Sequence, residues 1–258
     1  MKLVIPVIIL AAFVFVIPAG AQSVLITPKK VTYKRPKPIS EYKKTFTITY
    51  PKVKASSPAL SKKIESTLSY STVLGLNVNE EIREIQWLEE ADFEVSYNSK
   101  GILTITLSMN GTAAYPDGTS KALVVDLKTG NRVRPVDVFT NLNGLAAMVK
   151  RAQKAEVSKA LKEMKEDPEN KDFDTDQLFE NTNFTAKDLN EFEVNDKGVT
   201  FIYNYGFVHA IQALEPDGRY TFTWKDLRPY IKNTGRFAMF GRQFTKLGRG
   251  PFTFSNYE

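Results

Sequence analysis

One histidine and no cysteine, beside 29 carboxylates, limit what this 258-residue chain can catalyse. A serine triad needs an imidazole as general base and an acid to orient it. Those roles fall to His209, with Asp217 or Asp226 behind it, but no Gly-x-Ser-x-Gly elbow presents a serine. The triad is rejected, and His209 reads as a loop histidine beside an aromatic strand. Without cysteine there is no thiolate nucleophile, disulfide, Cys-ligated zinc or cysteine-borne lipid anchor. Asp172, Asp174 and Asp176 keep the spacing of a calcium loop. Gln177 and Asn183 stand where that loop needs a glycine for its turn and a glutamate as bidentate ligand, so the stretch reads as solvated. Glu80, Glu81, Glu84, Glu89 and Glu90 crowd one expected helix, the ordinary use of a charged helix face. Glycosidases instead oppose two carboxylates across a bond. Phosphate-binding, dinucleotide and histidine-carboxylate metal motifs are all missing. The expectation is a chain without metal, cofactor or covalent chemistry.

The residue types left with binding chemistry are aromatic. Phe201, Tyr203, Tyr205 and Phe207 alternate with Ile202, Asn204, Gly206 and Val208. On a strand, alternate side chains share a face. After Pro216-Asp217-Gly218, Tyr220, Phe222 and Trp224 repeat the pattern, so antiparallel pairing places seven rings on one surface. That surface is core or a platform on which sugars stack. Phe201, Tyr203, Phe222 and Trp224 are assigned to the core. Tyr205, Phe207 and Tyr220, nearer the loop, are the candidate ligand contacts, together with His209 and Tyr115.

Elements that would position these residues follow from periodicity. Residues 22–42, rich in Lys and Pro, read as an extended basic linker. Thr45 to Tyr50 alternates as a strand. Ser57-Pro58 opens a helix carrying Leu60, Ile64 and Leu68 to about Ser71, and Asn79 caps a second carrying Ile82, Ile85 and Leu88. Phe93, Val95 and Tyr97 pair with Leu103, Ile105, Leu107 and Met109 as a hairpin with one wet face. Leu123, Val125 and Leu127 mark a further strand after a Pro116-Asp117-Gly118 turn. A long helix runs from about Leu142 to Lys165, and Leu227, Tyr230 and Ile231 lie on a closing helical turn. The fold class is α+β: an antiparallel sheet built from hairpins, with helices packed on one face.

The ends carry the address. Lys2, an apolar stretch from Val4 to Val16 and Ala19-Gly20-Ala21 form a signal peptide over residues 1–21, cleaved before Gln22. No later stretch is apolar enough to span a membrane, so the mature chain is expected to be periplasmic or secreted. The net charge of +6 gathers at both ends of the mature chain, and residues 233–258 read as a basic aromatic tail. On an exported protein such ends suit wall polymers or anionic membrane surfaces rather than nucleic acid, or are simply solvated.

Three blocks resemble the RsiV family of extracytoplasmic bacterial domains. They are Ile102–Tyr115; Val124-Val125-Asp126-Leu127-Lys128-Thr129-Gly130 with Val136-Asp137-Val138-Phe139; and Phe201–Ala210 with Tyr220–Ile231. Residues 43–232 carry the likeness. It implies an envelope domain that binds a protein or glycan, as in a lysozyme-recognising anti-sigma factor or beside a peptidoglycan deacetylase. The chain lacks the former's sigma-binding segment and the latter's catalytic domain. Tyr115 stands where the family often has a histidine. The reading is a non-enzymatic binding or accessory module for an envelope protein or peptidoglycan; the alternative is a wall-polysaccharide hydrolase using paired carboxylates.

Overall fold

The computed structural model describes residues 23–168, 178–180 and 182–242, without the side chains of His209 and Ala210. The expected signal peptide, the aspartates of the 172–176 loop and the tail beyond residue 242 lie outside the described residues.

The main sheet has five strands in the order β1-β2-β3-β4-β5. β1 (Leu25–Lys34) pairs along its full length with β2 (Thr45–Lys54). The stretch expected as a linker therefore supplies an edge strand. Its Lys29, Lys30 and Lys34 and its Pro28 are what an edge tolerates, because charge and a missing N–H discourage pairing with another chain. Pro28 faces Pro51, so both missing donors fall at one rung.

β2 joins β3 (Leu88–Ser99) in parallel, at Thr47 opposite Glu90 and Ile48 opposite Ala91. The sheet is thus mixed rather than purely antiparallel, and a parallel neighbour needs a crossover. That crossover holds α1 (Pro58–Thr67), α2 (Tyr70–Leu74) and α3 (Val78–Arg83). Ser57 caps α1 by accepting from Leu60 N at 3.2 Å. The single helix expected here breaks at Leu68, and α2 ends on Gly75 at φ 72°, a left-handed position that favours glycine. Asn77, not Asn79, caps α3, and Leu88 opens β3 instead of completing that helix.

β3 turns into β4 (Ile102–Thr112) through Lys100 and Gly101, both at positive φ, the two-residue turn that matches strand twist. β5 (Pro116–Asp126) follows, with Pro116-Asp117-Gly118 paired in the strand and Ala113–Tyr115 making the bend. Leu103, Ile105, Leu107 and Met109 of β4 and Leu123, Val125 and Leu127 join Ile64, Leu68 and Tyr70 in one core.

Ile102 and Val124 belong to a second core. It is closed by α4 (Pro135–Val138), α5 (Leu142–Glu166) and a three-stranded antiparallel sheet of β6 (Phe192–Val194), β7 (Gly198–Ile202) and β8 (Arg219–Thr223). Helices therefore do not keep to one face of one sheet. Thr104 links the two sheets: its hydroxyl donates to Val194 O at 3.0 Å and accepts from Val194 N at 3.3 Å. After β8 come α6 (Trp224–Leu227) and α7 (Ala238–Arg242). Phe237 and Phe240 are fully buried, so the expected tail from residue 233 begins inside the core.

Away from this core, the Arg35 side chain is wholly buried and lies 4.5 Å from the Phe46 ring. It donates to Glu81 O at 2.9 Å, the Glu81 carboxylate at 3.3 Å, Leu88 O at 2.7 Å and Lys43 O at 3.1 Å. Burial pushes its guanidinium pKa down, against the pull of Glu81 and Glu89. One side chain thereby joins the end of β1 to α3 and the start of β3.

Candidate binding site

β7 ends at Ile202. Within the sheet Phe201 faces Tyr220 and Val199 faces Phe222, so these residues share a side as the alternation required. Phe192, opposite Phe201 on β6, extends the row. One further backbone bond, Tyr203 N to Gly218 O at 2.8 Å, holds before the chain leaves the ladder. Asn204 then folds back, its Oδ1 accepting from Gly206 N at 2.6 Å, and Gly206 sits at φ 70°. Tyr205 and Phe207 are therefore not strand residues. Trp224 is not one either. It begins α6, capped by Thr223 and Asp226, stacks on Phe240 at 4.0 Å and donates its Nε1 to Asn195 O at 3.0 Å. Phe201 and Trp224 are buried as core, whereas Tyr203 and Phe222 are only partly so.

Glu156, on α5, gathers the loop. Its Oε2 accepts from the Tyr220 hydroxyl at 2.6 Å and the Tyr205 hydroxyl at 2.8 Å, and its Oε1 from Gly218 N at 3.2 Å. The two phenol oxygens are themselves 2.7 Å apart. Three short contacts share two protons, and the Glu156 oxygen, a stronger acceptor than a phenol, takes both. Both phenols lie above their ordinary pKa of 10. Burial is the first cause; Glu156 adds to it at both, and the Tyr205 hydroxyl raises Tyr220 further. Phe179 packs on Tyr205 and Phe207 at 5.7 and 5.4 Å.

Three of the expected ligand contacts, Tyr205, Phe207 and Tyr220, thus meet in one cluster, but the two hydroxyls are already engaged. His209 opens a 3-10 turn, His209–Leu214; its side chain is outside the described set. Tyr115 is 68% exposed at the β4–β5 bend. From Thr104, which touches the small sheet, to Thr112 beside that bend is about 26 Å at the strand rise. Tyr115 does not join the others.

An open groove of about 490 Å³ lies where β7 ends, with Lys121, Arg132, Lys187, Glu191, Tyr203 and Asn204 among its walls. A second cavity of about 430 Å³ shares Arg132 and Arg134 and reaches Asp126, Asp137 and Arg236. Arg132 is held at a one-residue bridge to Val125, and its Nη2 donates to Asn190 O at 2.7 Å. Burial lowers its pKa while Glu191 opposes the shift. Glu191 itself is pushed above the usual carboxylate range by burial; the bond from Ala122 N, at 3.2 Å, pulls it back first, followed by Lys121 and Arg132.

The acids around these cavities already have work. Glu191 accepts from Ala122 N, and Asp188 from Thr185 N at 2.6 Å and its hydroxyl at 2.7 Å. Asp137 accepts from Arg134 at 2.9 and 3.0 Å, and Asp126 pairs with Arg236. The Asn204 oxygen is taken by Gly206 N, leaving its amide N–H groups. Lys121 and Lys187 have no side-chain partner among the described residues, and Arg132 has only Asn190 O. The remaining capacity of the groove is to donate, and it is positive.

Sequence reasoning missed Glu156, Arg132 and Lys187. No spacing marks them, since the groove is assembled from β5, the bridge after it, the turn before β6 and the end of β7. Among the described residues no helix is long and apolar enough to cross a membrane, and no three His, Asp or Glu cluster to hold a metal ion.

No family model and no curated protein matches the sequence. Solved structures share its fold, two DUF3298-family proteins among them. A DUF3298-family protein from Bacteroides fragilis, 14% identical, has a TM-score of 0.53 over 87% of this chain and 99% of its own. Another from Pseudomonas aeruginosa, 11% identical, has a TM-score of 0.50 over 81% of this chain and 94% of its own. At these identities the likeness establishes the fold.

Proposed function

We propose that this chain is an exported, non-enzymatic binding domain of the RsiV-like class, holding a protein or glycan of the cell wall. The observation that carries the reading is the groove beside β7, where donors and cations converge while its two carboxylates, Asp188 and Glu191, each accept from a backbone N–H. Such a surface recognises rather than cleaves, because paired-carboxylate hydrolysis needs one acid to give a proton and another to attack or to activate water. Two of the RsiV-like blocks flank the groove. Asp126-Leu127-Lys128-Thr129-Gly130 leads from β5 towards Arg132, and Tyr203 and Asn204 follow β7.

Retention of the purified protein on insoluble peptidoglycan and on immobilised lysozyme tests this. Retention on at least one is expected, with no soluble fragments released from the wall. Failure on both, by protein that still melts cooperatively, would overturn the binding reading. Fragment release abolished by one carboxylate substitution would overturn the non-enzymatic one.

A further inference from the structure

On the reading of the chain as a wall-binding domain, we infer that the groove at the end of β7 is a receptor for an anionic sugar: a glycan unit bearing a carboxylate or phosphate. Arg132 is the anchor. Its planar guanidinium is half-buried, fixed by a single bond to Asn190 O, and its remaining N–H groups have no protein acceptor among the described residues. A guanidinium held this way presents a rigid fork of donors to a carboxylate or phosphate and is less hydrated than an ammonium. Lys121 and Lys187 line the same groove without ion pairs, so an anion there meets three cations. Arg134 contributes little, since its guanidinium already holds Asp137.

The rest of the wall suits a sugar. Tyr203 is partly exposed and offers a ring, and Asn204 is exposed with only its oxygen committed. Rings bind the apolar face of a saccharide while amide N–H groups meet its hydroxyls. A volume of about 490 Å³ is within the range of small-ligand sites. Two acids oppose the cations: Asp188, held by Thr185 N and its hydroxyl, and Glu191. The raised affinity of Glu191 for a proton lets an anion be accommodated beside it as pH falls.

The test is titration calorimetry at low salt with three probes: N-acetylglucosaminyl-N-acetylmuramic acid, N-acetylglucosamine 6-phosphate and neutral N,N′-diacetylchitobiose. At least one acidic sugar should bind tenfold or more tightly than the neutral one and weaken with added salt, and which one binds identifies the anion. Lys187→Gln and Lys121→Gln, both near the surface, and Arg132→Gln should each weaken that binding at least fivefold. Lys225→Gln, an equal loss of charge at an exposed position of α6, should not. Equal binding of acidic and neutral sugars overturns the inference, as does no binding of any probe or an equal loss in the Lys225 variant. If retention on peptidoglycan persists in any of those cases, the wall-binding reading stands and only the anion receptor falls.

Discussion

Replacing Glu156 should loosen the junction between α5 and the small sheet by an amount the geometry sets. The carboxylate accepts three hydrogen bonds, from Tyr220, Tyr205 and Gly218 N. A bond to a charged group is worth about 1.5–3 kcal/mol, and a buried donor left unpaired forfeits about 1–3 kcal/mol. Tyr220 is 5% exposed and stands at the upper end of that range. Tyr205 is more exposed and can turn its proton to water or to the Tyr220 oxygen, 2.7 Å away, so it stands at the lower end. Allowing for this sharing, Glu156→Ala should cost about 3–4 kcal/mol. Glu156→Gln should cost about 1–2 kcal/mol, since the amide oxygen can keep both phenols while its NH2 group faces the Gly218 N–H and loses that bond. Urea unfolding is the assay. At a slope of about 2–3 kcal/mol per molar, the alanine variant's midpoint falls by more than about 1 M with the slope unchanged. Ultraviolet titration should show the two phenols ionising earlier, yet still late, because burial outranks Glu156 in raising both. An alanine variant within about 0.5 kcal/mol of the parent would refute the reasoning.

Alkaline pH should act through the same residues. Tyr50, Tyr70, Tyr97, Tyr205 and Tyr220 all lie above their ordinary value of 10, Tyr97 at about 12, with burial the first cause in each. A raised folded value adds stability that is whole below pH 10 and lost as pH rises towards the folded values. Melting temperature should therefore be flat from pH 8 to about 9.5 and fall beyond, more shallowly in a Tyr205→Phe, Tyr220→Phe double variant; parallel curves would argue against this. Arg35→Lys should destabilise by at least about 2 kcal/mol although it keeps the charge, because a point ammonium cannot reach the five acceptor groups that the guanidinium bonds; an unchanged urea midpoint would count against the network. Glu191→Gln keeps an acceptor for Ala122 N and removes a charge that burial disfavours. The raised value means that ionised Glu191 lowers stability as pH rises through it, so the variant should equal or exceed the parent's melting temperature at pH 7 and match it near pH 4; a lower melting temperature at pH 7 would sink that account.

Where one physical signal decides an element, the sequence already displays it. Alternation from Leu103 to Met109 fixes a strand and the face it gives to the first core, though not the burial of Thr104 on its other face; Leu145 and Val149 fix the inner side of α5, and Ser57 before Pro58 fixes the start of α1. Where two signals compete, local reading fails. β1 looks like a linker because the lysines and the proline that suit an edge strand interrupt the alternation of Ile26, Val31 and Tyr33. The parallel contact between β2 and β3 spans only two register pairs, and its partners stand more than forty residues apart.

The aromatic run from Phe201 to Phe207 is the instructive case. Its alternation is uniform, yet only its first aromatic, Phe201, sits in the sheet. A backbone remains in a ladder when its neighbour goes on offering partners. β8 begins at Arg219, and beyond that point Gly218 turns its N–H to Glu156 and not to the strand. An acid on α5 thus ends the pairing and collects two phenols, and Asn204 closes the next turn. Tyr203 and Asn204 are left at the point of departure, where they become a wall of the groove. The strand's early end, which side-chain type alone does not foretell, is what opens the site.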